Sequence, residues 1–78
     1  MQLSTAVRQR IINLAIEKDI TLHQLSLDAG IPYSTLSSFL NGKSEMPKLS
    51  TIFLICEGLN ISLSEFFNDR LFKDVIFE

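Results

Sequence analysis

Five hydroxyl side chains lie close together near the middle of this 78-residue chain. They are Tyr33, Ser34, Thr35, Ser37 and Ser38. A hydroxyl both donates and accepts hydrogen bonds, so this stretch has the chemistry to bind the polar edges of a partner molecule. Each hydroxyl accepts several kinds of partner, so the selectivity per residue is modest. The alternative interpretation is a solvated surface without a partner.

No arrangement typical of catalysis or metal binding occurs in the sequence. His23 has no second histidine, cysteine or acid at ligand spacing, and no nucleophile and base stand at an interpretable spacing. A glycine-rich phosphate loop is also absent. Cys56, the one cysteine, cannot form an internal disulfide and is expected to be inert core. We therefore expect no enzyme activity, no cofactor and no metal site.

Apolar residues at helical spacing predict the elements that must hold the hydroxyl stretch in place. The first helix is expected to start with Ser4 or Thr5 as its cap and to end near Lys18. Its apolar stripe comprises Val7, Ile11, Leu14 and Ala15, widened by Ile12 and Ile16. These positions predict an amphipathic helix that buries one face.

The hydroxyl stretch lies on the second of two short helices joined by a glycine turn. A capping box at residues 21–24 opens the first of them, with Thr21 and Gln24 each binding a backbone N–H. It ends at Ala29, and Gly30 is free to adopt a positive φ. Pro32 starts the next helix, which residues 41–42 close. Such a pair projects its second helix outward, the geometry needed to enter a DNA major groove.

The remainder of the chain predicts two more helices and an ambiguous tail. The fourth helix runs from about Leu49 to Leu59 and is terminated by residues 58–60. A second capping box at residues 62–65 opens a fifth helix, which is expected to bury Leu63, Phe66 and Phe67. Residues 1–68 then form one domain. Residues 69–78 suit either a helix or an edge strand.

The formal net charge of −2 argues against a protein that coats nucleic acid by bulk charge. The charge is unevenly distributed, however. Residues 1–48 hold five Lys/Arg and four acids, a balance of +1, whereas residues 49–78 hold two and five, a balance of −3. A DNA-facing N-terminal part fits this asymmetry. No charged leader or long apolar run is present, so we expect a soluble cytoplasmic protein without membrane contact.

The two short helices and their turn contain Leu25, Ser26, Ala29, Gly30, Ile31, Leu36 and Phe39. In these residues the chain resembles the Cro/CI-type (XRE-like) helix-turn-helix family of phage and bacterial transcriptional regulators. The similarity covers roughly residues 7–67. The other matching positions are residues 41–43, the turn at residues 59–62 and residues 63–67. The resemblance implies an all-α, five-helix Cro/CI-repressor-like fold with the helix-turn-helix at helices 2 and 3.

The resemblance also implies which residues contact DNA. The base-reading positions of the family correspond here to Tyr33, Ser34, Ser37 and Ser38, with Thr35 beside them. The backbone-contacting positions correspond to Thr21, His23, Lys43, Ser44 and Lys48. Three features depart from the family: Leu22 replaces a frequent phosphate-binding glutamine, Glu45 lies in a usually basic loop, and the third helix has no charged residue.

The tail contains more apolar surface than a five-helix domain of this size readily covers. One interpretation folds the tail back onto helices 1 and 5. The other is a two-fold dimer interface, which would hold two third helices about one DNA turn, ~34 Å, apart on a palindromic site. The dimer candidates are Phe53, Leu71, Phe72, Val75, Ile76 and Phe77.

Together these features predict a DNA-binding transcriptional regulator that acts as a homodimer. Its small size favours a repressor that blocks polymerase, although activation by contact stays open. The alternative is a protein-binding module on the same fold, such as an anti-repressor or a toxin-system partner. A small-molecule sensor is poorly supported because a core of this size leaves little room for a ligand pocket.

Overall fold

The computed structural model describes residues 1–43 and 45–76, and these form five α-helices followed by a short 3₁₀ turn. The helices are α1 (Leu3–Glu17), α2 (Leu22–Ala29), α3 (Tyr33–Leu40), α4 (Leu49–Leu59) and α5 (Leu63–Phe67), and the 3₁₀ turn spans Arg70–Phe72. Within the described ranges no helix is long and apolar enough to cross a membrane. The five predicted helices and the all-α class are confirmed.

Each helix contributes side chains to a single hydrophobic core. Its buried members are Val7, Ile11 and Leu14 from α1, Leu25 from α2, Leu36 and Phe39 from α3, Ile52, Ile55, Cys56 and Leu59 from α4, and Phe66 from α5. Burial raises the pKa of the Cys56 thiol, and the positive charge of Arg10 opposes that shift. A thiol kept protonated in the core is a poor nucleophile, in agreement with the predicted inert role.

The predicted start of α1 is wrong. The helix begins at Leu3, before the two residues that were expected to cap it. Its N-cap is Gln2, whose side chain makes no capping hydrogen bond. The tail supplies the partners instead, because the Leu3 N–H donates to the Ile76 carbonyl and the Ile76 N–H donates to the Met1 carbonyl. A backbone pairing between distant residues therefore replaces the local cap that Ser4 or Thr5 was expected to provide.

Three smaller expectations also need correction. Gln24 does not complete a capping box, since its side-chain amide donates to Asp28 Oδ1 instead of reaching back, while Thr21 Oγ1 does accept from the Gln24 N–H. Ile16 does not widen the buried stripe, because it is 73% exposed. Phe67 is exposed rather than buried, because the one-turn α5 presents only Phe66 fully to the core.

Gly58 has a different role from the one predicted. Helix α4 continues through it, and Asn60, with φ of 59°, provides the left-handed end. A Cβ atom on Gly58 would lie 2.9 Å from the backbone nitrogen of Ala29 in α2. The missing side chain therefore lets α4 pack directly against the backbone of α2.

The tail is neither a full helix nor a strand. After the 3₁₀ turn at Arg70–Phe72 it forms one isolated parallel bridge between Gln2 and Ile76. Phe72 packs against the core. The centroid of its ring lies 6.1 Å from that of Phe66 and 5.1 Å from that of Phe67. Leu71 and Val75 are half-buried, whereas Ile76 is 62% exposed. The 3₁₀ turn thus packs against α1, and Phe72 packs against α5.

Candidate nucleic-acid interface

The corner between α2 and α3 determines where the hydroxyl stretch points. Gly30 adopts φ of +71°, and nothing would contact a Cβ there, so the requirement is conformational rather than spatial. The N–H groups of Gly30 and Ile31 donate to the carbonyls of Leu27 and Ser26, which ends α2 in a left-handed cap. Leu25 and Leu36 anchor the two helices in the core. Phe39 is buried as well, whereas Tyr33, Ser34 and Thr35 in the first turn of α3 are exposed.

The outward surface of α3 is polar and uncharged. Tyr33 is 38% exposed, Ser34 and Thr35 are exposed, and Ser37 and Ser38 are half-buried. Ser37 Oγ also accepts a hydrogen bond of 3.2 Å from the side-chain amide of Asn41. The exposed hydroxyl residues of α3 are therefore those of its first turn, Tyr33, Ser34 and Thr35.

Thr35 lies beside a cavity rather than on an open surface alone. This cavity has a volume of 310 Å³ and separates α3 from the segment that leads into α4. Met46, Pro47 and Lys48 form its opposite wall. Thr35 consequently borders the loop after α3, where Lys48 also lies.

His23 and Tyr33 form a stacked pair. The two rings are nearly parallel, at 6°, with centroids 3.6 Å apart. His23 lies in the first turn of α2, and Tyr33 is the first residue of α3. The contact brings the starts of both helices to the same side of the molecule.

Helix starts present backbone N–H groups that lack intrahelical acceptors, and these bind anions such as phosphate. In α2 the hydroxyl of Thr21 already accepts from the Gln24 N–H. In α3 the N-cap is Pro32, which has no side-chain acceptor, so the N–H groups of Tyr33 and Ser34 are left for an outside partner. Both helix starts are thus suited to contact a sugar–phosphate backbone.

The cations near this surface are the lysines of the loop between α3 and α4. Lys43 and Lys48 are exposed, and Glu45 between them is exposed as well. Ser44, the remaining predicted backbone contact, lies outside the described residues. The loop therefore combines two positive charges with one negative charge close to α3.

The predicted dimer candidates fall into two groups. Leu71, Phe72 and Val75 are half-buried against their own chain, and Phe77 lies outside the described residues. Phe53 is 47% exposed on α4, and Ile76 is also exposed. Leu49 and Leu54, which the sequence reasoning missed, are 62% and 40% exposed on the same helix. The four-residue spacing of Leu49 and Phe53 was the available signal.

Comparison with known proteins agrees with this geometry. The family model of the Cro/C1-type HTH DNA-binding domain matches residues 10–70 of the sequence. The crystal structure of prophage Lp1 protein 11 is similar, with 26% identity, coverage of 96% of this chain and 100% of that one, and a TM-score of 0.82. The restriction-modification controller protein C.Esp1396I shares 22% identity, with coverage of 86% and 85% and a TM-score of 0.79. No curated protein matches the chain.

A glycine corner that projects an anchored second helix defines a helix-turn-helix protein. The chain belongs to the Cro/C1-type HTH DNA-binding domain family, whose model matches most of its length. It is accordingly a DNA-binding domain of the kind found in transcriptional regulators. The resemblance read from the sequence is confirmed.

Proposed function

We propose that this protein is a transcriptional repressor that binds a palindromic operator as a homodimer. The observation that supports this most is the start of α3, where Tyr33, Ser34 and Thr35 are exposed and the Tyr33 ring stacks on His23 at the start of α2. In this proposal α3 enters the major groove and Tyr33, Ser34, Thr35, Ser37 and Ser38 read base edges. Occupancy of the operator then blocks polymerase, and the protein carries out no catalysis.

Binding to the DNA backbone is assigned in the proposal to the groups around α3. Thr21 and His23 at the start of α2, together with Lys43, Ser44 and Lys48, contact phosphates and set the register of the helix on the duplex. Few lysines take part, so the salt dependence is expected to be moderate. Hydroxyls discriminate bases less sharply than bidentate side chains do, so groove shape and bridging water add to selectivity.

The homodimer surface in the proposal is the apolar face of α4. Phe53 is its centre, and Leu49 and Leu54 extend it. Clustered exposed apolar side chains are typical of interaction surfaces. Among the tail candidates that the structure describes, Ile76 is the most exposed, whereas Leu71, Phe72 and Val75 are half-buried.

Selection of bound sequences from a random DNA library at about 50 mM salt tests the proposal, followed by titration of the enriched site across salt concentrations. We expect an inverted repeat with half-sites about one helical turn apart. Lack of any enriched sequence would contradict operator binding and favour the protein-binding module. Enrichment of a single half-site would contradict the homodimer but not DNA binding.

Two substitutions separate base reading from phosphate binding. Ser38→Ala is expected to weaken binding to the selected site by about 1–3 kcal/mol, because a base contact is lost. Lys48→Ala is expected to weaken all sequences equally and to lower the salt slope by about one unit. Ser64→Ala in α5 and Lys73→Ala in the tail are the matched controls, since both residues are exposed and distant in sequence from the helix-turn-helix. Equal effects of variant and control would contradict the assignment.

A further inference from the structure

The stack between His23 and Tyr33 joins two residue types that occur once each in the chain. The rings belong to different helices and are both on the surface. An exposed aromatic side chain at the first position of a helix samples several rotamers unless a neighbour restricts it. Here the imidazole face covers one face of the phenol ring at 3.6 Å, so the ring of Tyr33 has a defined position.

The backbones that carry the two rings are themselves held in place. Thr21 caps the start of α2, and Ser26 Oγ donates a 2.7 Å hydrogen bond to the carbonyl of His23. On the other side Pro32 has its fixed φ, −61°, immediately before Tyr33. The stack therefore joins two firmly held helix starts, and it restricts the side chain rather than the backbone.

We propose that His23 is a positioning residue for DNA recognition, which holds the Tyr33 ring in the orientation that reads the operator. This inference rests on the proposed function, because it assumes that Tyr33 contacts bases. Because the Tyr33 ring is already ordered in the free protein, less side-chain entropy is lost when DNA binds. This role is additional to the proposed phosphate contact, which uses the ring N–H groups and stabilises every DNA sequence alike.

A pair of substitutions at position 23 separates the two roles. His23→Phe keeps a flat ring but has no N–H donor, whereas His23→Ala removes both. If His23 positions Tyr33, the ratio of affinities for the selected operator and a scrambled duplex should fall about three- to tenfold in His23→Ala and stay within about twofold of wild type in His23→Phe. Gln24→Ala, at the neighbouring exposed position, is the matched control and should leave the ratio unchanged.

A double substitution gives the second readout. In a Tyr33→Ala background the further change His23→Ala should not lower the ratio again, because the ring it positions is gone. Independent, additive losses would overturn the inference. A lower affinity for every sequence with an unchanged ratio in His23→Ala would also overturn the inference, because it is the signature of a phosphate contact alone.

The stack can also be measured without DNA. The ring protons of His23 and Tyr33 should resonate upfield of their random-coil positions in the wild-type NMR spectrum, and the Tyr33 protons should return toward them in His23→Ala but not in His23→Phe. Unshifted resonances in the wild type would overturn the inference even if operator binding is found. Failure of the wild type to select any DNA sequence, with the stack present, would instead contradict the proposed function and with it the role of the stack.

Discussion

Arg8 and Arg10 illustrate how a cation can stabilise the fold instead of binding a partner. Arg8 Nε donates to the Phe39 carbonyl at the end of α3, and its guanidinium carbon lies 5.1 Å from the centre of the Phe39 ring. Arg10 donates to the carbonyls of Glu65 and Phe66 and forms an ion pair of 3.0 Å with Asp69. Part of the positive charge of residues 1–48 is therefore used in contacts within the protein, namely that of Arg8 and Arg10.

Loss of the Arg10 contacts should be costly. Its side chain is 12% exposed and satisfies two carbonyls and one carboxylate, so Arg10→Ala is expected to lower the free energy of unfolding by about 2–3 kcal/mol. Arg10→Lys should recover only part of this, because an ammonium cannot match the planar fork of a guanidinium. Urea unfolding followed by circular dichroism measures the effect.

Arg70→Ala is the matched control for Arg10, because Arg70 is an exposed arginine of the same chain. It should change the free energy of unfolding by no more than about 0.5 kcal/mol. Similar losses in Arg10→Ala and Arg70→Ala would mean that the Arg10 hydrogen bonds add nothing beyond a surface charge.

At the scale of elements, α4 is the support on which the helix-turn-helix rests. Its core residues Ile52, Ile55 and Leu59 are buried together with Leu25 of α2. Because Gly58 has no side chain, the backbones of α4 and α2 come so close that a Cβ atom there would collide with the backbone of Ala29. The orientation of α2 thus depends on a residue far from α3 in sequence.

Gly58→Ala should destabilise the protein although alanine is the better helix former. The added Cβ would lie 2.9 Å from a backbone nitrogen, which cannot rotate away as a flexible side chain can. Overpacking is expected to outweigh the gain in helix propensity of about 1 kcal/mol and to lower the free energy of unfolding by about 1–2 kcal/mol. Thermal and urea unfolding provide the measurement.

Glu57→Ala, one position earlier and exposed, serves as the control for Gly58→Ala, with an expected change within about 0.5 kcal/mol. An increase in stability on Gly58→Ala would show that α2 and α4 separate easily and that the close approach is not required.

At the scale of the whole molecule, different surfaces have different chemistry. The start of α3 is polar and uncharged, the loop after it contains Lys43 and Lys48, and α4 exposes the apolar side chains of Leu49, Phe53 and Leu54. No side chain is shared between the proposed DNA surface and the proposed dimer surface on α4. This separation is what a dimer that binds two half-sites needs.

Phe53→Lys tests the proposed dimer surface. A charge at its centre should oppose burial, so analytical ultracentrifugation should give a dimer mass for the wild type and a mass near the monomer for the variant at the same concentration. Affinity for an inverted repeat should fall with it, while affinity for a single half-site should persist.

Ile16→Lys is the control for Phe53→Lys, since Ile16 is 73% exposed on α1 and the same charge is introduced there. It should leave the mass unchanged. A wild type that sediments as a monomer at every concentration, alone and on DNA, would contradict the homodimer.

Much of the fold was predictable because its signals are local. The capping box at Ser62 and Glu65 forms as expected, and so do the left-handed turns at Gly30 and Gly42. Each involves residues at most a few positions apart, so sequence spacing suffices. The base-reading and backbone assignments on α2 and α3 stay predictions, with the structure adding which of those side chains are exposed.

The amino-acid sequence by itself determined the five helices, the glycine corner and the family, because periodicity and caps act within a few residues. Only the tertiary structure decided the contacts between distant residues. The Gln2 to Ile76 bridge replaced a local cap, Gly58 became a packing position, Arg8 and Arg10 were engaged internally, and His23 met Tyr33 across the corner. Such contacts depend on how the helices pack, and sequence spacing does not encode the distance between two surfaces.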